Sequence, residues 1–177
     1  MALSLAEGQR AQRKLLITVA EWSTGNSSTA REILGTRVED SSIEFNADIQ
    51  TSTDILGINY TDVNKTEPQQ TFDPSYVIGG KALSEYLVEA ALKNDIDAFN
   101  NVFTIYVITA FDTVTTGSVG DTTTSYKCVK HEHCSIIPTS LGGDAYVAMP
   151  IEVHFSNDIT TGTVNSLSDD FTFTADT

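Results

Sequence analysis

Only one segment of the chain repeats its apolar residues with the period of an α-helix. It is "GGKALSEYLVEAALKN", residues 79–94, and the i, i+3, i+4, i+7 spacing of one helical face is met by Leu83, Tyr86, Leu87 and Ala90. Leu, Ala, Glu and Lys dominate the segment, as helix propensity favours. A single amphipathic helix must lay its apolar face on another element, so the remainder of the chain has to supply a sheet.

Several other segments are predicted to be strands. Residues 14–22, "KLLITVAEW", are apolar and partly β-branched, and residues 101–111, "NVFTIYVITAF", are apolar at both parities, which indicates a central strand covered on both faces. Further strands are expected at residues 125–137 and in "FTFT", residues 171–174. Loops are expected at residues 23–30 and 112–124, the latter as a hairpin tip. With about six strands lying mostly next to strands, we predict a mainly β fold: an antiparallel β-sandwich or barrel with one flanking α-helix and extended loop and terminal arms.

Residues 41–50, "SSIEFNADIQ", show the cleanest alternation in the chain. A period of two predicts a strand with one buried face and one wet, acidic face. The apolar members are Ile43, Phe45, Ala47 and Ile49, and the polar members are Glu44, Asn46, Asp48 and Gln50.

A second alternating segment is "DAYVAMPIEVHF", residues 144–155. Its apolar residues on one parity predict a buried strand face, and Pro150 on the other parity indicates an edge or a bulge. The residues of that face are Ala145, Val147, Met149, Ile151, Val153 and Phe155.

The segment "TSTDILGINYTDVNKTEPQQTFDPSYVIGG", residues 51–80, is too long for a turn. From Gly57 to about Ile78 it has no sustained period, and Pro68 and Pro74 oppose a helix. A connection this long is usually functional, as a lid, a binding loop or a packing arm. We therefore divide the chain into an N-terminal arm (residues 1–14), a β-domain (15–164) that contains the loop 57–78, and a loose acidic tail (165–177).

The net charge of −14 is large for 177 residues. It argues against sequence-independent nucleic-acid binding and against an anionic membrane surface. The basic residues Arg10, Arg13 and Lys14 lie near the start, and no Lys or Arg follows Lys130, which suits head-to-tail contact between copies or simply solvated termini. No stretch is long and apolar enough for a membrane span, and the order of the first residues is wrong for a signal peptide, so we expect a reducing cytoplasm and free thiols.

The best metal candidate is "CVKHEHC", which holds Cys128, His131, His133 and Cys134. These residue types suit zinc, but on a strand the two Cys would face one way and the two His the other, over roughly 20 Å. We interpret them as two packed thiols and two surface imidazoles. His154 is the only other base for a hydrolase, and no nucleophile elbow accompanies any of the three His. We expect no enzyme activity, no metal and no cofactor.

Three blocks of the sequence carry a resemblance to a known family. They are "SIEFNADIQTSTDILGINYTDVNKTEPQQTFDP", "GGKALSEYL" and "CSIIPTSLGGDAYVAMPIEVHFSNDITTGTV", within residues 42–164, whereas residues 93–124 are not distinctive. The chain resembles the major tail tube protein of long-tailed bacteriophages and prophages of Gram-positive bacteria. The resemblance implies a β-sandwich or barrel with a flanking helix, assembled as stacked hexameric rings around a tape-measure protein. The tubes of contractile tails and of secretion-type injection devices are the near alternatives.

We infer roles for particular residues in such a tube, with an ordinary solvent-facing position as the alternative for Glu44 and Asp48. The tube would line its lumen with polar residues, pack an arm on a neighbouring subunit, and stack rings through basic residues. The residues expected in these roles are Glu44, Asn46, Asp48 and Gln50 in the lumen, Ile55, Leu56, Tyr60, Phe72 and Tyr76 in the arm, and Arg10, Arg13 and Lys14 in stacking.

The expected partners are further copies of the chain, the tape-measure protein, and the tail terminator and distal tail proteins. DNA would pass through without specific binding, and there would be no membrane insertion. The expected location is the virion tail, with assembly in the host cytoplasm. Two other classes stay open: a β-sandwich binding module whose long loop grips a carbohydrate or a protein, and a small metallo-hydrolase built on "CVKHEHC".

Overall fold

The prediction of a mainly β, antiparallel chain with one helix is confirmed by a computed structural model, which describes residues 5–25, 28–38, 41–118 and 121–176. Within these residues there are eleven strands, one α-helix and a single 3-10 turn at Arg13–Leu15. The helix is α1 (Ala82–Lys93). The strands are β1 (Leu16–Gly25), β2 (Ser28–Ile33), β3 (Ile43–Glu44), β4 (Asp48–Thr53), β5 (Asn59–Lys65), β6 (Gln69–Phe72), β7 (Phe103–Ser118), β8 (Asp121–Pro138), β9 (Ile151–His154), β10 (Asp158–Val164) and β11 (Phe173–Ala175).

The main sheet runs in the order β2-β1-β7-β8-β9-β6-β3 and forks at the long strand β8. Residues 126–132 of β8 pair with β10, which in turn pairs with β11, whereas residues 135–138 pair with β9. The β9-β6-β3 end of the sheet lies over β1. The two parts are in contact through a buried hydrogen bond of 2.8 Å, which the Thr18 hydroxyl on β1 donates to the Gln70 side chain on β6. The result is a sandwich whose two layers share β8.

The central strand β7 separates two apolar cores, as its sequence predicted. Phe103, Ile105 and Val107 enter the first core, between the folded sheet and α1, and Tyr106 and Ile108 enter the second core on the opposite face. The first core also contains Ala20, Trp22, Phe72, Leu83, Leu87, Cys134, Ile136, Met149, Ile151 and Val153.

Helix α1 covers one end of the first core with the face that the sequence predicted. Leu83, Leu87 and Ala90 are buried, and the Tyr86 ring lies 6.1 Å from the rings of both Trp22 and Phe103. Asn94 ends the helix in the left-handed conformation at φ 56°, a common C-terminal stop.

The C-terminal segment closes the second core, so the prediction of a loose acidic tail is wrong for residues 165–176. Phe171 is only 2% exposed, and its carbonyl accepts a 2.7 Å hydrogen bond from Arg31 of β2. The Asn165 side chain accepts a hydrogen bond from the Thr172 backbone N–H at 2.7 Å. Phe173 and Leu167 pack against the same core, and β11 pairs with β10, so both apolar contacts and backbone pairing hold the segment to the sheet.

Two predicted loops are strands. Residues 28–33 form β2, paired with β1, and residues 112–118 and 121–124 continue β7 and β8 as one long hairpin. Residues 112–118 and 121–124 are rich in Thr, whose β-branched side chain suits strands, but neither run shows apolar alternation. The predicted strand at residues 144–155 is in turn shortened to β9: Met149, Ile151 and Val153 are buried, but Ala145 and Val147 are exposed.

Candidate assembly surfaces

A separate two-stranded hairpin, residues 48–65, stands apart from the main sheet; we call it the projecting hairpin. Every residue of β4 and of β5 is exposed. At its root, the Phe45 carbonyl accepts a hydrogen bond from the Glu67 N–H at 3.0 Å, and the Asn46 side chain donates to the Glu67 carbonyl at 3.2 Å. The prediction that residues 57–78 lack regular structure is therefore wrong. Hydrophobic periodicity missed β5 because both of its faces are largely polar.

Asp54 organises the tip of the projecting hairpin. Its Oδ1 accepts hydrogen bonds from the backbone N–H groups of Leu56 (2.8 Å) and Ile58 (2.9 Å), and its Oδ2 accepts one from the Tyr60 hydroxyl at 3.2 Å. These bonds, that of Ile58 first, lower the pKa of Asp54, because each favours the ionised carboxylate. Gly57, at φ +79°, completes the turn in a conformation that favours glycine. The tip is thus a defined structure although it touches solvent.

The projecting hairpin carries apolar residues that the described part of the chain leaves largely exposed. The Ile49–Val63 cross-strand pair lies on one face, and both side chains are more than half exposed. At the tip, Ile55 is fully exposed and Leu56 is 78% exposed. A two-stranded hairpin is marginal by itself, and clustered exposed apolar residues are typical of interaction sites.

The residues predicted for the lumen do not share one strand face. Asn46 has a positive φ of 43°, which breaks the predicted strand into β3 and β4, so Phe45 and Ile49 are exposed instead of buried. Glu44 lies on β3, Asp48 and Gln50 lie on β4, and Asn46 lies between them; all four are exposed. Asn tolerates the left-handed conformation, and alternation alone cannot register such a break. That these four residues line a lumen stays a prediction.

The residues predicted for the inter-subunit arm separate into two groups. Ile55, Leu56 and Tyr60 are exposed on the projecting hairpin. Phe72 is only 2% exposed and packs in the first core of its own subunit, so its assignment as an anchor of the inter-subunit arm is wrong. Tyr76 is half-buried, with its ring edge-on to Tyr146 at 6.3 Å.

Of the three basic residues predicted for stacking, Arg13 is bound within the subunit. Its Nε donates to the Ser41 carbonyl and its Nη1 to the Leu16 carbonyl, both at 2.7 Å. Arg10 and Lys14 are exposed. A stacking role for the three stays a prediction.

Beside the root of the projecting hairpin, the sandwich opens into an apolar groove of about 620 Å³. His131 lies in the wall of the groove and is 9% exposed, and this burial lowers its pKa. The His131 ring packs edge-on to Phe155 at 5.0 Å, and its Nδ1 lies 3.1 Å from the Ser156 carbonyl. The groove is lined by Arg13, Leu16, Ser41, Ser42, Ile43, Phe45, Pro68, Val107, Val129, His131 and Phe155. We refer to it as the apolar groove.

The "CVKHEHC" segment is a bulged part of β8. Ile105 pairs with His131 and Phe103 with Cys134, so one extra residue is inserted on β8, where His133 adopts φ 58°. The bulge reverses the faces: Cys128 lies in the second core and Cys134 in the first, which corrects the prediction that both face one way. The buried His131 likewise corrects the prediction of two surface imidazoles.

Both thiols of this segment are free and buried. Desolvation raises the pKa of Cys128 to about 12 and also raises that of Cys134. Exposed His133 lies 3.1 Å from the Asp158 carboxylate. Among the described residues, no group of three or more His, Cys, Asp or Glu side chains is arranged to hold a metal ion.

The fold and these surfaces define a mainly β, antiparallel protein. Its most exposed large apolar residues, Ile55 and Leu56, lie at the tip of the projecting hairpin. No protein-family model matches the chain, and no curated protein matches it. In the described part of the chain, no helix has the length and apolar character needed to cross a membrane.

Two solved structures are similar to this chain at a low level. One is the cap that terminates the tube of the anti-feeding prophage: 16% identity and a TM-score of 0.44, covering 90% of this chain and 95% of that chain. The other is an extracellular contractile injection system, the PVC sheath–tube complex in the extended state: 13% identity and a TM-score of 0.39, covering 81% of this chain and 86% of that chain.

Proposed function

We propose that this chain is a structural subunit that self-assembles into the tube of a phage tail or of a phage-tail-like particle. The observation that carries the proposal is the projecting hairpin, which is regular and capped at its tip but leaves Ile49, Ile55, Leu56 and Val63 exposed. A single subunit gains nothing from such an element, whereas an oligomer can bury it. The sequence resemblance within residues 42–164 supports the same proposal independently.

In this proposal the subunits form hexameric rings that stack around a tape-measure protein, and the tube meets tail terminator and distal tail proteins at its ends. DNA passes through the tube without being bound specifically. A net charge of −14 suits that role, because an anionic wall does not retain phosphates. The subunit acts without catalysis or cofactor, as part of a virion tail assembled in the host cytoplasm.

Negative-stain electron microscopy of the concentrated protein, together with sedimentation velocity, tests the proposal. We expect rings or tubes with a central channel, and six-fold symmetry in end-on class averages. A chain that stays monomeric at every concentration, with no rings on the grid, would contradict self-assembly. Rings with another symmetry would contradict only the hexamer.

A further inference from the structure

We propose that the apolar groove is the receptor for the tip of the projecting hairpin of a second copy of this chain, so that Ile55 and Leu56 of one subunit lie against Leu16, Val107, Val129 and Phe155 of the next. This inference rests on the proposed function and names the surface that the exposed hairpin would find on its neighbour.

The groove has the size and lining of a binding site for apolar side chains. Its volume of about 620 Å³ falls within the roughly 300–1,000 Å³ typical of pockets that enclose a bound group. The apolar side chains of β1, β7 and β8 form its floor, and Phe45, 64% exposed, stands at its edge. His131 adds little charge to the wall, because burial lowers its pKa. Apolar surface in an open groove is stabilised when another apolar group displaces its water.

The hairpin tip cannot fill the groove of its own subunit. Phe45 and Pro68, which line the groove, lie directly beside the root of the projecting hairpin. Beyond a bulge between Asp48 and Ile49, unbroken pairing from Ile49–Val63 to Thr53–Asn59 keeps the hairpin extended, and these five residues at about 3.4 Å each place the tip roughly 17 Å from the root. The tip and the groove of one chain are therefore held apart, and they can meet only between two copies.

The charges of the two surfaces are complementary. The tip presents the Asp54 carboxylate next to Ile55 and Leu56, and its hydrogen bonds keep that group ionised. The groove presents Arg13, whose guanidinium is fixed at the wall by its bonds to the Ser41 and Leu16 carbonyls. A guanidinium has five N–H donors, so these two bonds leave it able to face a carboxylate. An acidic, apolar tip thus matches an apolar groove with one cation at its wall.

A contact between two different surfaces of the same chain is heterologous. Such a contact repeats from copy to copy and produces either a closed ring or an open stack. This is the kind of interface that a tube requires, and it differs from a two-fold dimer, in which the same patch meets itself.

Disulfide trapping between two single variants of the full-length chain tests the inference. One variant carries Ile55→Cys at the tip, and the other carries Ser42→Cys, an exposed residue of the groove that leaves its apolar lining intact. The two are mixed, assembled and mildly oxidised, and the mixed dimer is identified by mass. Cys128 and Cys134 stay in place because both are buried. The matched control pairs Ile55→Cys with Leu92→Cys, an exposed position on α1.

We expect at least ten-fold more mixed dimer from the Ile55→Cys and Ser42→Cys pair than from the control pair, and loss of that dimer when Leu56→Asp is added to the Ile55→Cys chain. Rings or tubes that form without the mixed dimer would overturn the groove as receptor and leave the proposed function standing. A preparation in which neither assemblies nor the mixed dimer form would overturn both. Thermal unfolding of each variant checks that the subunit is folded.

Discussion

At the scale of single residues, Asp54 links pH to the order of the hairpin tip. Because its pKa is lowered in the folded chain, its stabilising hydrogen bonds are fully present above the pKa of the unfolded chain and are lost as the pH falls through the lower, folded value. We expect amide signals of Leu56 and Ile58 to lose protection from hydrogen exchange as the pH is lowered from neutral to below about 4. Asp54→Asn should show reduced protection already at neutral pH, whereas Asp62→Asn, on the exposed strand β5, should not.

Substitutions of two single residues, Phe72 and Leu56, distinguish an effect on folding from an effect on assembly. Phe72 is buried in the first core, so Phe72→Ala should lower the free energy of unfolding by about 3–5 kcal/mol. Leu56 is 78% exposed, so Leu56→Ala should change it by less than about 0.5 kcal/mol while weakening self-association. Denaturant unfolding and sedimentation velocity measure the two effects. Equal loss of stability in both variants would show that the hairpin tip belongs to the subunit's own core.

At the scale of elements, the projecting hairpin is separable from the sandwich. Its strands are exposed throughout, and its root is closed by the hydrogen bond between Phe45 and Glu67. Replacing residues 48–65 by a short Gly-Ser connection should leave the thermal unfolding temperature within a few degrees of the parent and abolish rings or tubes. A control that replaces only Ile55 and Leu56 by Ser should retain the hairpin and lose most of the assembly. Normal tubes from the excised chain would remove the hairpin from the interface.

A helix or strand could be predicted from the sequence where one of its faces is buried in a core, because burial requires apolar residues at the helical or strand period. α1 and β7 were predicted with the correct faces because Leu83, Leu87 and the apolar run of β7 are buried by the fold itself. β4 and β5 are held by backbone pairing and have no core, so no apolar period marks β5 or the second half of β4. Asn46 shows the reverse failure: the alternation over residues 41–50 predicts one continuous strand, but the left-handed Asn46 divides it into β3 and β4. The groove could not be predicted, because it joins residues from β1, β7 and β8 with the segment around Phe45, and these become neighbours only through the sheet order.

At the scale of the whole molecule, two features oppose each other during assembly. The net charge of −14 drives copies apart over long distances, whereas the exposed apolar residues of the projecting hairpin act only at contact. The electrostatic repulsion between copies extends over about 30 Å at 0.01 M salt but only about 8 Å at 0.15 M. Added salt therefore screens this repulsion at concentrations that leave the apolar contact unchanged. An individual exposed ion pair between Arg10 or Lys14 and an acidic neighbour contributes little by comparison.

We therefore expect assembly to strengthen as salt rises from about 0.01 M to about 0.15 M, with a lower concentration threshold for rings in light scattering and sedimentation velocity. A variant with Arg10→Glu and Lys14→Glu is more negative still, and it should need more salt to reach the same threshold. Arg13 is left unchanged because its bonds to Ser41 and Leu16 support the apolar groove. Assembly that weakens with salt would mean that ion pairs between basic and acidic surfaces, and not burial of the hairpin, hold the copies together.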